Sequence, residues 1–315
     1  MSEDHSFSDD FFISFIENSR LLKSSTKIIY LNKIDIMTNK FFGQKVSIWW
    51  IMNHPKEFRE ALVKYVATLH PRIYTTITPH TVSLYIRIVL CLFAHHREVE
   101  EQIPELYYEW KQMKTDMTTQ LEDHYLSGKP TIRQQEAMMS WDDIVKMRDQ
   151  LPDGSIEKLI ISMYTMIPPQ RCDYRDVRIY NDHPLITIHN YIVLKNKKLF
   201  INEFKTSRFH QPIEIDLPEP LMKQLNMSLE QNPRDYLFVT RSGIPFARQN
   251  TFNTWINGIV KRVTNKPYFT LTMFRHLYVS RSEVENMSIP ERRKLANNMG
   301  HSTNTNLQYE LKKET

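Results

Sequence analysis

The sequence predicts a mainly α-helical protein with a small antiparallel sheet, an α+β chain whose first domain is a helical bundle. Three observations carry this expectation. Long stretches of the first hundred residues repeat apolar side chains at helical spacing. Three short β-rich pieces follow one another in the second half, separated by polar turns. Between the two regions periodicity fades, and Ser127-Gly128-Lys129-Pro130 reads as a turn. The expected division is a helical domain over 1–115, a linker over 116–137 and a mixed domain over 138–315.

The elements follow in order. In "FREALVKYV" Phe58, Ala61, Leu62, Tyr65 and Val66 fall at i, i+3, i+4, i+7 and i+8. "TVSLYIRIVLCLFAHH" repeats that pattern from Val82 to Phe93, and Leu84, Ile88 and Leu92 make it apolar nearly all round, as a central helix is. Asn53, Pro55 and Pro79 mark helix boundaries. "SWDDIVKMRDQL" opens the second domain with Ser140 as N-cap and two aspartates in the first turn. "SIEKLIISMYTMI" is a strong helix that stops at Pro168-Pro169. "LITIHNYIVL", "KLFINEF" and "PIEIDL" are the β-rich pieces, and "DYLFVT" reads as a further short strand. "NTFNTWINGIVKRV" and "TLTMFRHLYVSR" read as helices. In "SIPERRKLANNM" Ser288 and Glu291 have capping-box spacing, and Gly300 ends that helix.

Composition bounds the function. The chain has 315 residues, 41% of them hydrophobic, which is ample for packed cores. The formal charge is +5, and residues 138–315 hold 25 Lys and Arg against 19 Asp and Glu, so the second part carries the excess. A mild basic balance is compatible with a polyanionic partner. The six glycines form no phosphate-cradling loop, which argues against a nucleotide-driven enzyme. Cys91 and Cys172 are far apart and match no metal spacing, so a reducing, intracellular setting is expected. No apolar run reaches the roughly 18 residues of a membrane span.

Four short stretches hold side chains suited to chemistry. "PPQRCDYRDVR" places Arg171 after a helix stop; its ordinary role is a surface pair with Asp173 or Asp176. "NEFKTSRFHQ" places Lys205 at a hairpin end, where most lysines are simply solvated. "TLTMFRHLYVSR" puts Arg275 inside an apolar helix, and a buried arginine is rare unless something anionic or hydrogen-bonding meets it. Its neighbour His276 reads as a core histidine. "MGHSTNTNLQYEL" sets His301 directly after Gly300 and Tyr309 eight residues on; alone, that tyrosine reads as packing.

The ordered set Arg171, Lys205, Arg275, His301, Tyr309, in a helix stop, a hairpin, a helix and a Gly-His turn, resembles the tyrosine recombinases, also called phage-type integrases, of the DNA breaking–rejoining superfamily. The resemblance runs over 140–311, and more loosely over the first domain, which is similar to that family's core-DNA-binding domain. "MGHS…Y" and "FRH" are its most specific pieces. Pro-Pro-x-Arg-x-Asp-Tyr around Arg171 resembles the form in members from large DNA viruses and eukaryotic mobile elements.

The resemblance implies a site-specific recombinase or integrase. It implies that Arg171 and Arg275 grip the scissile phosphate, as planar guanidiniums do well. His301 would add a hydrogen bond or assist proton transfer, Tyr309 would be the nucleophile forming a 3′-phosphotyrosyl link, and Lys205 would protonate the departing 5′-oxygen. No metal and no nucleotide cofactor is implied. Partners would be duplex DNA with specific sites, bound by a tetramer on two duplexes, with the two domains forming a clamp. Arg208 follows the candidate acid within reach of a phosphate, and Arg241, Arg248, Lys261 and Arg262 surround the helix where the family makes major-groove and backbone contacts; such charges give affinity rather than sequence readout. Two departures stand out. Thr272 occupies the position where the family usually has a histidine or lysine, and a hydroxyl is a poor general base. The His-to-Tyr spacing is one residue shorter than in common bacterial members. The alternatives are a type IB topoisomerase or telomere resolvase with the same chemistry, and a DNA-binding protein on a decayed scaffold, which Thr272 keeps open.

Overall fold

The computed structural model describes residues 7–69, 79–185, 187–207, 211–282 and 284–311. The chain divides into two units, residues 1–124 and 125–315.

The first unit is helical among its described residues: α1 (Asp9–Asn18), α2 (Ser24–Lys40), α3 (Ile48–Asn53), α4 (Pro55–Leu69), α5 (Pro79–His95), α6 (Arg97–Gln102) and most of α7 (Pro104–Ser127). Serines start two of the helices: Ser8 accepts from the Phe11 N–H, and Ser47 from the Trp50 N–H. On α5, Ile86, Ile88, Leu92 and Phe93 are fully buried, so burial on several sides places it centrally, as its sequence predicts. Trp110 on α7 is also fully buried, and its indole N–H donates to the Met52 carbonyl at 3.0 Å. The second half of α7 occupies much of the stretch where periodicity fades. Tyr107, Trp110 and Met117 are its buried residues, a stripe too sparse for the pattern to register.

The second unit adds α8 (Ile132–Ala137), α9 (Trp141–Gln150), α10 (Ile156–Thr165), β1 (Arg178–Tyr180), β2 (Tyr191–Val193), β3 (Lys198–Ile201), β4 (Ile213–Asp216), α11 (Glu219–Gln231), α12 (Gln249–Thr264), α13 (Leu271–Arg281), α14 (Ile289–Asn298) and α15 (Thr303–Leu307). α10 is its centre: every residue from Lys158 to Thr165 is buried, and α9, α11, α12 and α13 pack around it. The caps read from sequence are present. Ser140 accepts from the Asp143 N–H at 3.0 Å, and the Ser288 N–H donates to Glu291 at 2.8 Å.

The sheet has order β1-β2-β3-β4 and is mixed. The pairs β2–β3 and β3–β4 are antiparallel, from the three β-rich pieces. β1 adds to β2 in parallel, which the sequence did not announce: its three residues are half-buried and lack alternation. "DYLFVT" makes a single bridge, Arg178 to Tyr236, because Leu237 and Phe238 turn into the core instead of extending a ladder. Among the described residues, no helix is long and apolar enough to cross a membrane.

Candidate active site

The site grows from the C-terminal end of α14. Gly300 has φ +67°, a left-handed conformation that suits glycine. The Gly300 N–H donates to Asn297 O at 2.9 Å and the His301 N–H to Ala296 O at 3.1 Å. That pair of bonds is a Schellman ending, and it turns His301 inward. A Cβ on Gly300 would lie 3.2 Å from the Phe204 ring, so the close approach of that loop also favours glycine.

The remaining carbonyls of this helix end are taken by side chains from distant segments. Arg275 donates through one nitrogen to Met299 O at 3.0 Å and through another to Pro169 O at 2.5 Å. Gln170, 1% exposed, donates to Asn298 O at 2.6 Å. Arg171 donates to Gly300 O at 3.3 Å, and the Thr206 hydroxyl to the same oxygen at 2.9 Å. A helix C-terminus carries partial negative charge, so it suits two neighbouring guanidiniums. The ordinary role read for Arg171 does not hold: its backbone N–H, rather than its guanidinium, donates to Asp173 at 3.1 Å, and Asp176 pairs with Arg175 at 2.5 Å.

Tyr309 completes the group. It follows α15, a five-residue turn capped by Ser302, which accepts from the Thr305 N–H at 3.2 Å. The Arg275 guanidinium lies 4.8 Å from the centre of the Tyr309 ring, and the His301 ring is stacked 5.3 Å away. The Arg275 and Arg171 guanidiniums both act on the phenol. Burial pushes the phenol up, but the guanidiniums of Arg275 and then Arg171 hold it below its ordinary value. Arg275 is 1% exposed, and burial lowers its own pKa. Asp173 nearby is pushed up by burial, against the pull of Arg171 and Arg275. This arrangement can hold a tetrahedral oxyanion and offer it an acidified phenol.

Lys205 is exposed in the turn after β3, and its neighbours Phe204 and Thr206 both pack on Gly300. Its backbone is therefore carried past Gly300. Thr272 is exposed on α13, where it lines a cavity of about 280 Å³ with Arg133, Lys261 and His276. Of the residues expected at a DNA backbone, Arg241, Arg248 and Lys261 are exposed, while Arg262 is held by Glu157 at 2.9 Å. Arg208 lies outside the described residues. Among the described residues, no group of three or more His, Cys, Asp or Glu side chains is gathered as a metal would need.

Asn190 was not singled out by sequence, and it ties the site together. It is 2% exposed. Its amide donates to Asp173 O at 3.0 Å and Glu203 O at 2.9 Å, and its oxygen accepts from the Asn202 and Glu203 N–H groups, both at 2.8 Å. It thus joins the Arg171 segment to the one carrying Lys205. An asparagine inside a β-rich piece carries no signal of its own, and only the fold shows its four backbone partners. Asn190→Ala strands those groups and is expected to cost about 3 kcal/mol, measured by denaturant unfolding. Asn190→Asp keeps the acceptor but loses both donors, so it should recover only part.

His276 sits behind the site, 8% exposed. Burial first, then the neighbouring Arg275, lower its pKa from 6.5 to about 4, against a hydrogen bond to the Tyr309 backbone. The depressed value means that folding favours the neutral ring. Its contribution is present above pH 6.5 and is lost as pH falls toward 4, about 3 kcal/mol in all. Unfolding free energies at pH 7 and 4.5 should show that loss, and His276→Asn, which cannot titrate, should shrink it.

No family model and no curated protein matches the chain. Among solved structures, the crystal structure of XerA recombinase is similar to it, at 14% identity and a TM-score of 0.42, over 96% of this chain and 93% of that one. A likeness at this level carries no residue role across.

Proposed function

We propose that the chain is a site-specific DNA recombinase or integrase of the tyrosine recombinase type. The observation that carries this reading is the phenol of Tyr309, held against Arg275 and Arg171 and acidified by them. A nucleophile and two guanidiniums at one point are what attack on a phosphodiester requires, because charge builds on the non-bridging oxygens as the phenol bonds to phosphorus. The phenol oxygen attacks phosphorus and its proton passes to solvent water. The bond from phosphorus to the 5′-oxygen breaks, Lys205 supplies that oxygen with a proton, and a 3′-phosphotyrosyl link remains. His301 hydrogen-bonds the same phosphate. Reversal by a 5′-hydroxyl of the partner strand rejoins DNA and frees Tyr309, with the bond energy conserved throughout.

Thr272 fits this scheme. A phenol already lowered by two guanidiniums needs less help from a base, so a hydroxyl at that position does not forbid the reaction. In this reading residues 1–115 grip DNA, residues 138–315 perform the chemistry, and Arg241, Arg248, Lys261 and Arg208 touch the backbone. Arg262 joins them once released from Glu157. Exchange between two duplexes calls for a homo-tetramer.

The test is incubation with nicked suicide duplexes carrying candidate terminal sequences, in EDTA and without nucleotide. A covalent adduct on a denaturing gel, confined to particular sequences, supports a recombinase. Supercoil relaxation without sequence preference would point to a topoisomerase, and salt-sensitive binding with no adduct to a decayed scaffold.

A further inference from the structure

α13 grips the chain around Tyr309 at two points one turn apart. The His276 Nδ1 lies 2.8 Å from the Tyr309 carbonyl oxygen. Ser280 accepts from the Leu311 N–H at 2.8 Å and donates to the His276 carbonyl at 2.8 Å. The far side of the imidazole meets Gln134, whose amide nitrogen is 3.1 Å from Nε2.

These contacts determine where the ring proton sits. A carbonyl only accepts, so Nδ1 must carry the hydrogen. Gln134 is the third residue of α8, and its oxygen accepts from the Thr131 N–H at 2.8 Å in a capping box. That bond turns the amide NH2 toward the ring, so Nε2 must be an acceptor. A helix cap thereby selects the tautomer of the histidine that holds the nucleophile's backbone. The charged or titratable side chains around this ring are Arg133 of α8, Lys261 of α12, Tyr268 before α13, and Arg275 and Tyr309. Of these, the Arg275 charge favours a neutral ring.

We propose that His276, fixed as the Nδ1–H tautomer by Gln134, is the positioning residue that holds the Tyr309 phenol against Arg275 and Arg171. Its role in catalysis rests on Tyr309 being the nucleophile; its role in holding the phenol does not. The bond is made through the backbone of Tyr309, so loss of the tether frees the segment to leave the guanidiniums. The Ser280 contact is a second hold on the same segment.

The test uses the full chain with ring-labelled tyrosine, Tyr309 assigned from Tyr309→Phe, and reads the phenol titration beside the rate of adduct formation. Asparagine places an amide nitrogen near the position of Nδ1; glutamine reaches toward Nε2 and misses the carbonyl. In His276→Gln the phenol should move up toward its ordinary value and adduct formation should fall about tenfold. His276→Asn should bring both back to within about threefold of wild type. Gln134→Glu sets a carboxylate oxygen against Nε2, so the ring should take a second proton there and titrate above its wild-type value even if His276→Gln folds poorly. An unchanged Tyr309 titration in His276→Gln, a wild-type ring protonated at Nε2 by its nitrogen shifts, or unchanged His276 titration in Gln134→Glu overturns the proposal. If the phenol responds as expected but the wild-type chain gives no adduct on any DNA, the positioning role stands and the recombinase reading falls.

Discussion

Tyr309→Phe should lower covalent adduct formation by about 10⁴-fold or more while leaving the fold in place. The ring is what packs: it faces the Arg275 guanidinium at 4.8 Å, stacks on His301 at 5.3 Å, and rests on the small apolar cluster of Val279, Val284 and Met299. Phenylalanine keeps all of this. The hydroxyl contributes only its polar interaction with the two guanidiniums, so stability should change by about 1 kcal/mol or less. Binding to duplex DNA, measured at fixed salt, should stay within about twofold, because the phenol adds no positive charge. Chemistry lost with binding and stability kept is the signature of a nucleophile; a large fall in stability would mark a packing residue instead.

The second large effect is at Arg275, and it should differ in kind. This guanidinium has two duties, holding Pro169 O and Met299 O while facing the phenol. Lysine cannot span both carbonyls in one plane. Arg275→Lys should therefore lose about 2–3 kcal/mol of stability, because buried carbonyls lose donors. Adduct formation should fall by about 10²–10³-fold, as when one donor to a developing oxyanion is removed. The Tyr309 phenol should also titrate higher, since lysine keeps a charge but not the guanidinium's placement over the Tyr309 ring. Thermal unfolding, phenol titration and adduct rate in one variant separate the two duties. A stable variant with an unmoved phenol would contradict both.

Much of this was legible in the sequence where a local rule operates. The apolar spacing of α5 and α10, the serine caps of α9 and α14, and the glycine after α14 follow from residues within a few positions of each other. The residues that gather at the α14 terminus were legible only as an ordered set resembling a family, since no spacing rule brings Arg171 to Gly300. What escaped was long-range or weakly patterned. α2 buries only Ile34, Met37 and Thr38, too few for a stripe to show. Asn190 lies unremarked inside a β-rich piece, and its role shows only where four backbone groups from two segments meet it. His276 was legible as a core histidine, but its partners Gln134 and Tyr309 lie 142 and 33 positions away, and only the fold makes it a tether.

The most direct test of the central claim is to digest the covalent product formed in EDTA on a nicked duplex and locate the nucleotide by mass spectrometry. The account predicts one modified peptide, with a 3′-nucleotide joined through phosphorus to the oxygen of Tyr309. A nucleotide on any other residue, or no modified peptide from DNA that the chain binds, would contradict it.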